Sequence, residues 1–229
     1  MATRFSEETF KYFERAKRNR FKKHWFEKNK NLYLDAVREP FSYLVDQIRE
    51  ELYDELPRID IDPKKITRPL RPSNRAEENG FIKHHSHITL WEKKTSLFEW
   101  NPAIHIQIGG EKDDNLYGIG LYMVSSRQMS RLRHELYEDF DEIDAILSET
   151  KLKRAFGGLA GERYKRFPKG YDAEDEKCKY HWHKRFFLDR SLTREEVKKP
   201  GFAKKVVKDL KTAMPFFQWV RNAVGVYKK

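Results

Sequence analysis

The chain of 229 residues has one cysteine, Cys178, which excludes an internal disulfide and a cysteine-rich zinc site. No run reaches the ~18 apolar residues that a membrane-spanning helix needs, and the opening MATRFSEETF lacks the apolar core of a secretory signal. A soluble, cytoplasmic protein without a membrane partner is expected. No HExxH pair announces a zinc hydrolase, and the glycines of AFGGLAGER, Gly157, Gly158 and Gly161, are not followed by the Gly-Lys-Ser/Thr of a P-loop. No repeat, linker or low-complexity segment divides residues 1–229, so one domain is expected. Lys177 and Lys179 beside Cys178 favour a thiolate, but no base is placed next to it; an ordinary exposed thiol is the expectation.

What the sequence does have is charge and aromatics. Lys and Arg number 47 against 36 Asp and Glu, a formal net charge of +11, while 38% of residues are hydrophobic and 14% aromatic. That composition folds rather than staying disordered. The basic excess is not a continuous stripe, because it reverses sign over residues 41–62 and again over 111–150. Alternation of this kind suits solvated faces better than a nucleic-acid surface.

Ser6 ahead of Glu7 and Glu8 predicts a helix over 6–18 with Phe5, Phe10 and Phe13 on its buried stripe. Apolar residues from Trp25 to Leu52 recur near the 3.6 period, predicting a helical stretch over 22–56, broken or kinked at Pro40 and ended by Pro57. AIHIQI (103–108) and LYGIGLYMV (116–124) alternate with period two around GGEKDDN, which predicts an antiparallel hairpin over 103–109 and 116–124. Further strands are expected over 82–90 and 180–188, the second alternating Tyr180, Trp182 and Phe186. Helices are expected after Ser125-Ser126, over about 142–151, and from Pro200-Gly201 with a bend at Pro215. Together these give an α+β fold: a central, mainly antiparallel sheet with long N-terminal and C-terminal helices packed around it.

Several segments, taken in order, resemble the family of domain of unknown function 2461. They are Phe5-Ser6-Glu7-Glu8-Thr9, Trp25-Phe26-Glu27 with Tyr33, the pair AIHIQI and GIGLYM, Arg131-Leu132-Arg133, and Pro215-Phe216-Phe217-Gln218-Trp219. Most specific is Tyr164-Lys165-Arg166-Phe167-Pro168-Lys169-Gly170-Tyr171-Asp172, similar to the family's basic-Pro-Lys-Gly-aromatic segment; Lys184-Arg185-Phe186 resembles its lysine-plus-aromatic strand. The resemblance implies an α+β fold and carries no activity with it. It also implies an Arg-Asp-Thr-Arg-Phe-like segment followed by a Lys-x-Pro-Tyr-Lys-like one in mid-chain. Here arginines stand at 68, 71 and 75, without the aspartate or the Pro-Tyr pair.

The candidate site residues follow from two patterns. In FIKHHSHITLW, a strand over 82–90 sets His85 and His87 on one face and His84 on the other, and His105 on a neighbouring strand can join the pair. Gly118 and Gly120 are expected to leave room above or beside His105. Arg68, Arg71 and Arg75, with Lys165, Arg166, Lys169 and Lys184, supply forks and point charges for phosphate or carboxylate. Three functions fit. The first is a binding or accessory protein with a basic, histidine-containing pocket for a small anionic ligand. The second is a metal-assisted hydrolase using His85, His87 and His105. The third is a nucleic-acid-associated protein. The anion ranks ahead of zinc in the sequence because guanidinium charge opposes metal binding.

Overall fold

The computed structural model describes residues 4–92 and 100–225. Along the chain run α1 (Glu7–Arg18), α2 (Lys23–Lys28), α3 (Lys30–Tyr33), a π-helical segment (Leu34–Arg38), α4 (Glu39–Leu52) and α5 (Ala76–Asn79). There follow β1 (His85–Trp91), β2 (Ala103–Gly109), β3 (Leu116–Leu121), α6 (Ser126–Glu138), α7 (Phe140–Ser148), α8 (Thr150–Phe156) and β4 (Phe186–Ser191). The chain closes with α9 (Arg194–Lys198), α10 (Phe202–Thr212) and α11 (Met214–Ala223). Among the described residues the strands form one antiparallel sheet in the order β1–β2–β3–β4, so the protein is α+β.

The chain gathers into two compact units. Of the described residues, the first holds 4–90, 105–117 and 191–207; the second holds 91–92, 100–104, 118–190 and 208–225. The first unit's core is aromatic and aliphatic: Phe10, Tyr12, Phe13, Phe41, Leu44 and Ile48 are buried, and the Phe5 ring meets Phe41 edge-on at 5.7 Å. In the second unit Phe186 lies between Phe216 and Trp219, with ring centroids 5.5 and 6.0 Å away. There the buried guanidinium of Arg221 donates to the Glu92 carboxylate and, at 2.9 Å, to Gln218.

Ser6 and Thr9 cap α1 reciprocally, the Ser6 N–H donating to Thr9 Oγ1 at 3.0 Å. The same hydroxyl donates to the carbonyl of Ala36 at 2.6 Å. In an α-helix that carbonyl would accept from residue 40, which is proline and has no N–H. Pro40 therefore does not break the helix: the chain stays helical over 30–52, passing through the π segment into α4, with Thr9 supplying the donor that Pro40 lacks. The stretch over 22–56 is divided at Asn29, whose side chain donates to the carbonyl of Trp25 at 2.8 Å.

Four more expectations change. β3 ends at Leu121 rather than 124. β4 begins only at Phe186, because the chain turns through 178–183 with N–H bonds from His181 to Cys178 and from His183 to Tyr180. Cys178 is buried, and burial together with Asp175 pushes its thiol up, away from reactivity. Gly118 and Gly120 open no room: a side chain at 118 would strike Leu188, Tyr122 and Asp189, and one at 120 would strike Phe186 and Phe187.

Thr9→Val keeps the shape and removes the donor to Ala36. Left unpaired in the core, that carbonyl should cost on the order of 1–3 kcal/mol, read as a lower urea midpoint with an unchanged slope.

Candidate functional site

Burial of Ser86, Ile88 and Leu90 on β1, and of Ile106 and Ile108 on β2, leaves the alternate positions His85, His87, Thr89, His105 and Gln107 on the half-buried face. The His85 and His87 rings stack at 5.7 Å, and the His105 ring stands 5.5 Å from His87. Thr89 Oγ1 and His105 Nδ1 share a hydrogen bond of 2.8 Å. The His87 backbone is fixed by Thr67, whose hydroxyl accepts from the His87 N–H at 3.1 Å.

His84 does not turn away as expected. The strand starts at His85, so its alternation does not reach residue 84, and the His84 ring meets His85 edge-on at 5.5 Å. The carbonyl of His84 accepts from the Gly110 N–H at 3.0 Å.

Asp114 joins them from the hairpin turn. One ligand atom from each of His84, His85 and Asp114 can be chosen so that all lie within 4.8 Å of one another. Gly109 makes this approach achievable: a Cβ there would sit 2.6 Å from both Asp114 Oδ2 and the His85 Cβ. The carboxylate is aimed by the Glu111 N–H, 3.0 Å from Oδ2, and by Gln107, 3.4 Å from Oδ1. The turn itself is tied down by Lys17 on Glu111 at 2.7 Å and by Arg194, which donates to the Gly110 carbonyl.

Burial pushes His85 and His87 down to about 4 and also lowers His84 and His105. The Asp114 charge partly restores the proton affinity of His84 and His85, while Arg71 opposes it. At neutral pH these imidazoles are therefore uncharged, as metal ligands must be. The buried Nδ1 atoms of His84, His85 and His87 have no hydrogen-bond partner among the described residues.

The arginines are divided in role. Arg71 Nη1 donates to the carbonyls of Asn79, Gly80 and Ile82 at 3.1, 3.2 and 3.1 Å, so this one nitrogen holds the loop before β1. Arg71, Arg75 and Lys83 line a cleft of about 460 Å³ together with Glu77 and Glu78. Burial and the two neighbouring guanidinium groups lower the Lys83 ammonium. Arg68 is exposed and does not line that cleft. Lys165, Arg166 and Lys169 are exposed residues of the second unit, and Lys184, in the same unit, pairs with Glu162 at 2.6 Å.

Asp114 and His84 are the members of the cluster that spacing alone does not select. The signal for Asp114 was its place in a glycine-led hairpin turn, which returns the chain to the start of β2's neighbours.

Two measurements check this description. Arg71→Ala should lower stability by about 2 kcal/mol, because the part-buried carbonyls of Gly80 and Ile82 lose a charged donor, whereas Arg75→Ala should change it by less than about 0.5 kcal/mol. His85 and His87 have folded values below their unfolded value, so the unfolded chain binds more protons as pH falls. Stability of the metal-free protein should then be full above the ordinary histidine range and be lost as pH drops from 6.5 towards about 4. Urea midpoints in EDTA should follow that slope, and His87→Gln should flatten it.

Neither a curated protein nor a solved structure matches the chain. Residues 8–219 match the family described as conserved hypothetical protein (DUF2461), and the chain belongs to that family, domain of unknown function 2461.

Proposed function

We propose that this protein binds a divalent transition-metal ion through His84, His85 and Asp114 and uses it in metal-assisted hydrolysis of an anionic substrate. The convergence of two neutral imidazoles and one carboxylate is the observation that supports this reading. Two histidines and a carboxylate are a ligand set that zinc takes in catalytic sites, with a fourth position left for water. Such an ion lowers the pKa of its water towards neutrality and polarises a carbonyl or phosphoryl oxygen. Ligands at about 2.1 Å from one ion stand about 3.4 Å apart in a tetrahedron, so small side-chain rotations close the present set.

Metal comes ahead of anion here because of Asp114, which adds the negative charge that a cation wants. Arg71 commits one terminal nitrogen, Nη1, to three backbone carbonyls. Anion binding keeps a part, however. The crowding of Lys83 with Arg71 and Arg75 beside the cleft supports a place for the anionic group of a substrate. Nucleic-acid association rests on composition alone.

Tag-free protein dialysed against Zn²⁺ or Co²⁺ should retain one ion per chain. Asp114→Asn and His84→Gln should each weaken retention by at least about tenfold, as loss of a ligand does. His105→Gln should leave it unchanged. Retention lost with His105→Gln but kept with Asp114→Asn would move the ion to the His85–His87–His105 row, and no retention by the unaltered chain would refute the proposal.

A further inference from the structure

We infer that the second unit carries a separate site for a phosphomonoester, a small molecule ending in a phosphate group, built on the glycine-rich loop 157–161. The loop lines a cleft of about 480 Å³, within the range of small-molecule sites, together with Lys153, Arg163 and His183. No carboxylate is among the described residues that line it.

Gly157, at φ 80°, ends α8 in the left-handed conformation that favours glycine, its N–H bonded to the Lys153 carbonyl at 2.8 Å. Gly158 at φ 152° and Gly161 at 89° likewise hold a backbone conformation that side chains rarely adopt. A Cβ at 157 or 158 would meet nothing within 4 Å, so packing does not demand the bare backbone there. Glycines that present backbone to open space let a phosphate oxygen approach main-chain N–H groups closely.

The loop is also held in place before any ligand arrives. Leu159 bridges to Leu188 and Arg163 to His183, and the Ala160 N–H donates to the Phe187 carbonyl at 2.9 Å. Gly161 sits under the Phe187 ring. A loop fastened in this way pays little ordering entropy on binding.

Charge favours an anion once all contributions are weighed. The C-terminal turns of α7 and α8 line the cleft, and each short helix offers at most about half a negative charge there. Lys179 also lines it but is neutralised by Asp144, 2.6 Å away. The exposed cations Lys153 and Arg163 outweigh the helix ends. His183 lines the cleft as well, but it is buried and its ring N–H is engaged by the Ala160 carbonyl, so it adds shape rather than charge. Leu147 and Leu159 offer apolar surface to whatever bears the phosphate. The cleft is larger than inorganic phosphate requires, which is why an esterified phosphate is the fitting class.

Titration calorimetry on the full chain at low salt, in EDTA, tests this with adenosine 5′-monophosphate, glucose 6-phosphate and inorganic phosphate. At least one of the two esters should bind about tenfold more tightly than inorganic phosphate. Lys153→Gln and Arg163→Gln should each weaken it about fivefold or more, with unchanged circular dichroism and melting temperature. Asp114→Asn should not alter it, which keeps the outcome independent of the metal proposal. Absence of ester binding at millimolar concentration, equal affinity for inorganic phosphate, or indifference to both substitutions would overturn the inference.

Discussion

Because side chains alternate along a strand, burying Ser86, Ile88 and Leu90 on one face of β1 obliges His85, His87 and Thr89 to share the other. The same holds for Ile106 and Ile108 against His105 and Gln107 on β2. A slip of one residue would exchange the faces, exposing aliphatic side chains worth about 1.5–3 kcal/mol each and drawing imidazoles into the core. The register is therefore fixed by the apolar face, and the histidine row is its consequence. A row obtained in this way is not yet a site. Asp114 beside His84 and His85, with the unpartnered Nδ1 atoms, is what supports the proposal of a site there.

The elements most legible in the sequence were those whose signal is local. Ser6 and Ser125 cap α1 and α6 where serine precedes a helical pattern, and β2 and β3 follow period-two alternation around a turn of glycine and aspartate. The segment 180–185 shows the opposite case. Tyr180, Trp182 and Phe186 alternate as a strand would, yet the backbone turns, with the His181 and His183 N–H groups bonded to residues three back in the chain. Alternation of side-chain type over four or five residues is satisfied by a turn as well as by a strand, and only longer runs separate the two.

The site was legible in part for the same reason. Three histidines at two-residue spacing, or on the adjoining strand, can be read from the pattern; a carboxylate that reaches them by a returning turn cannot. Its approach depends on Gly109 lacking a side chain, a steric fact that belongs to the folded hairpin. Arg71 is the converse. Its residue type announces an anion ligand, but the carbonyls of Asn79, Gly80 and Ile82 claim one of its terminal nitrogens. A guanidinium has five donors and no preference between a ligand's oxygen and a backbone oxygen that happens to be unpaired.

The π segment before α4 has a consequence for phase. Tyr33, Val37, Phe41 and Val45 are buried at four-residue steps. In a regular α-helix each such step overshoots a full turn by about 40°, so the stripe would wind away from its core. Winding more residues into one turn over Leu34–Arg38 takes up part of that overshoot and keeps Val37 and Phe41 aimed at the same neighbours. The segment thus behaves as a rotational spacer: a single-residue insertion or deletion within it would turn every downstream side chain of the helix by about 100°, whereas the same change in an exposed loop would be absorbed without notice.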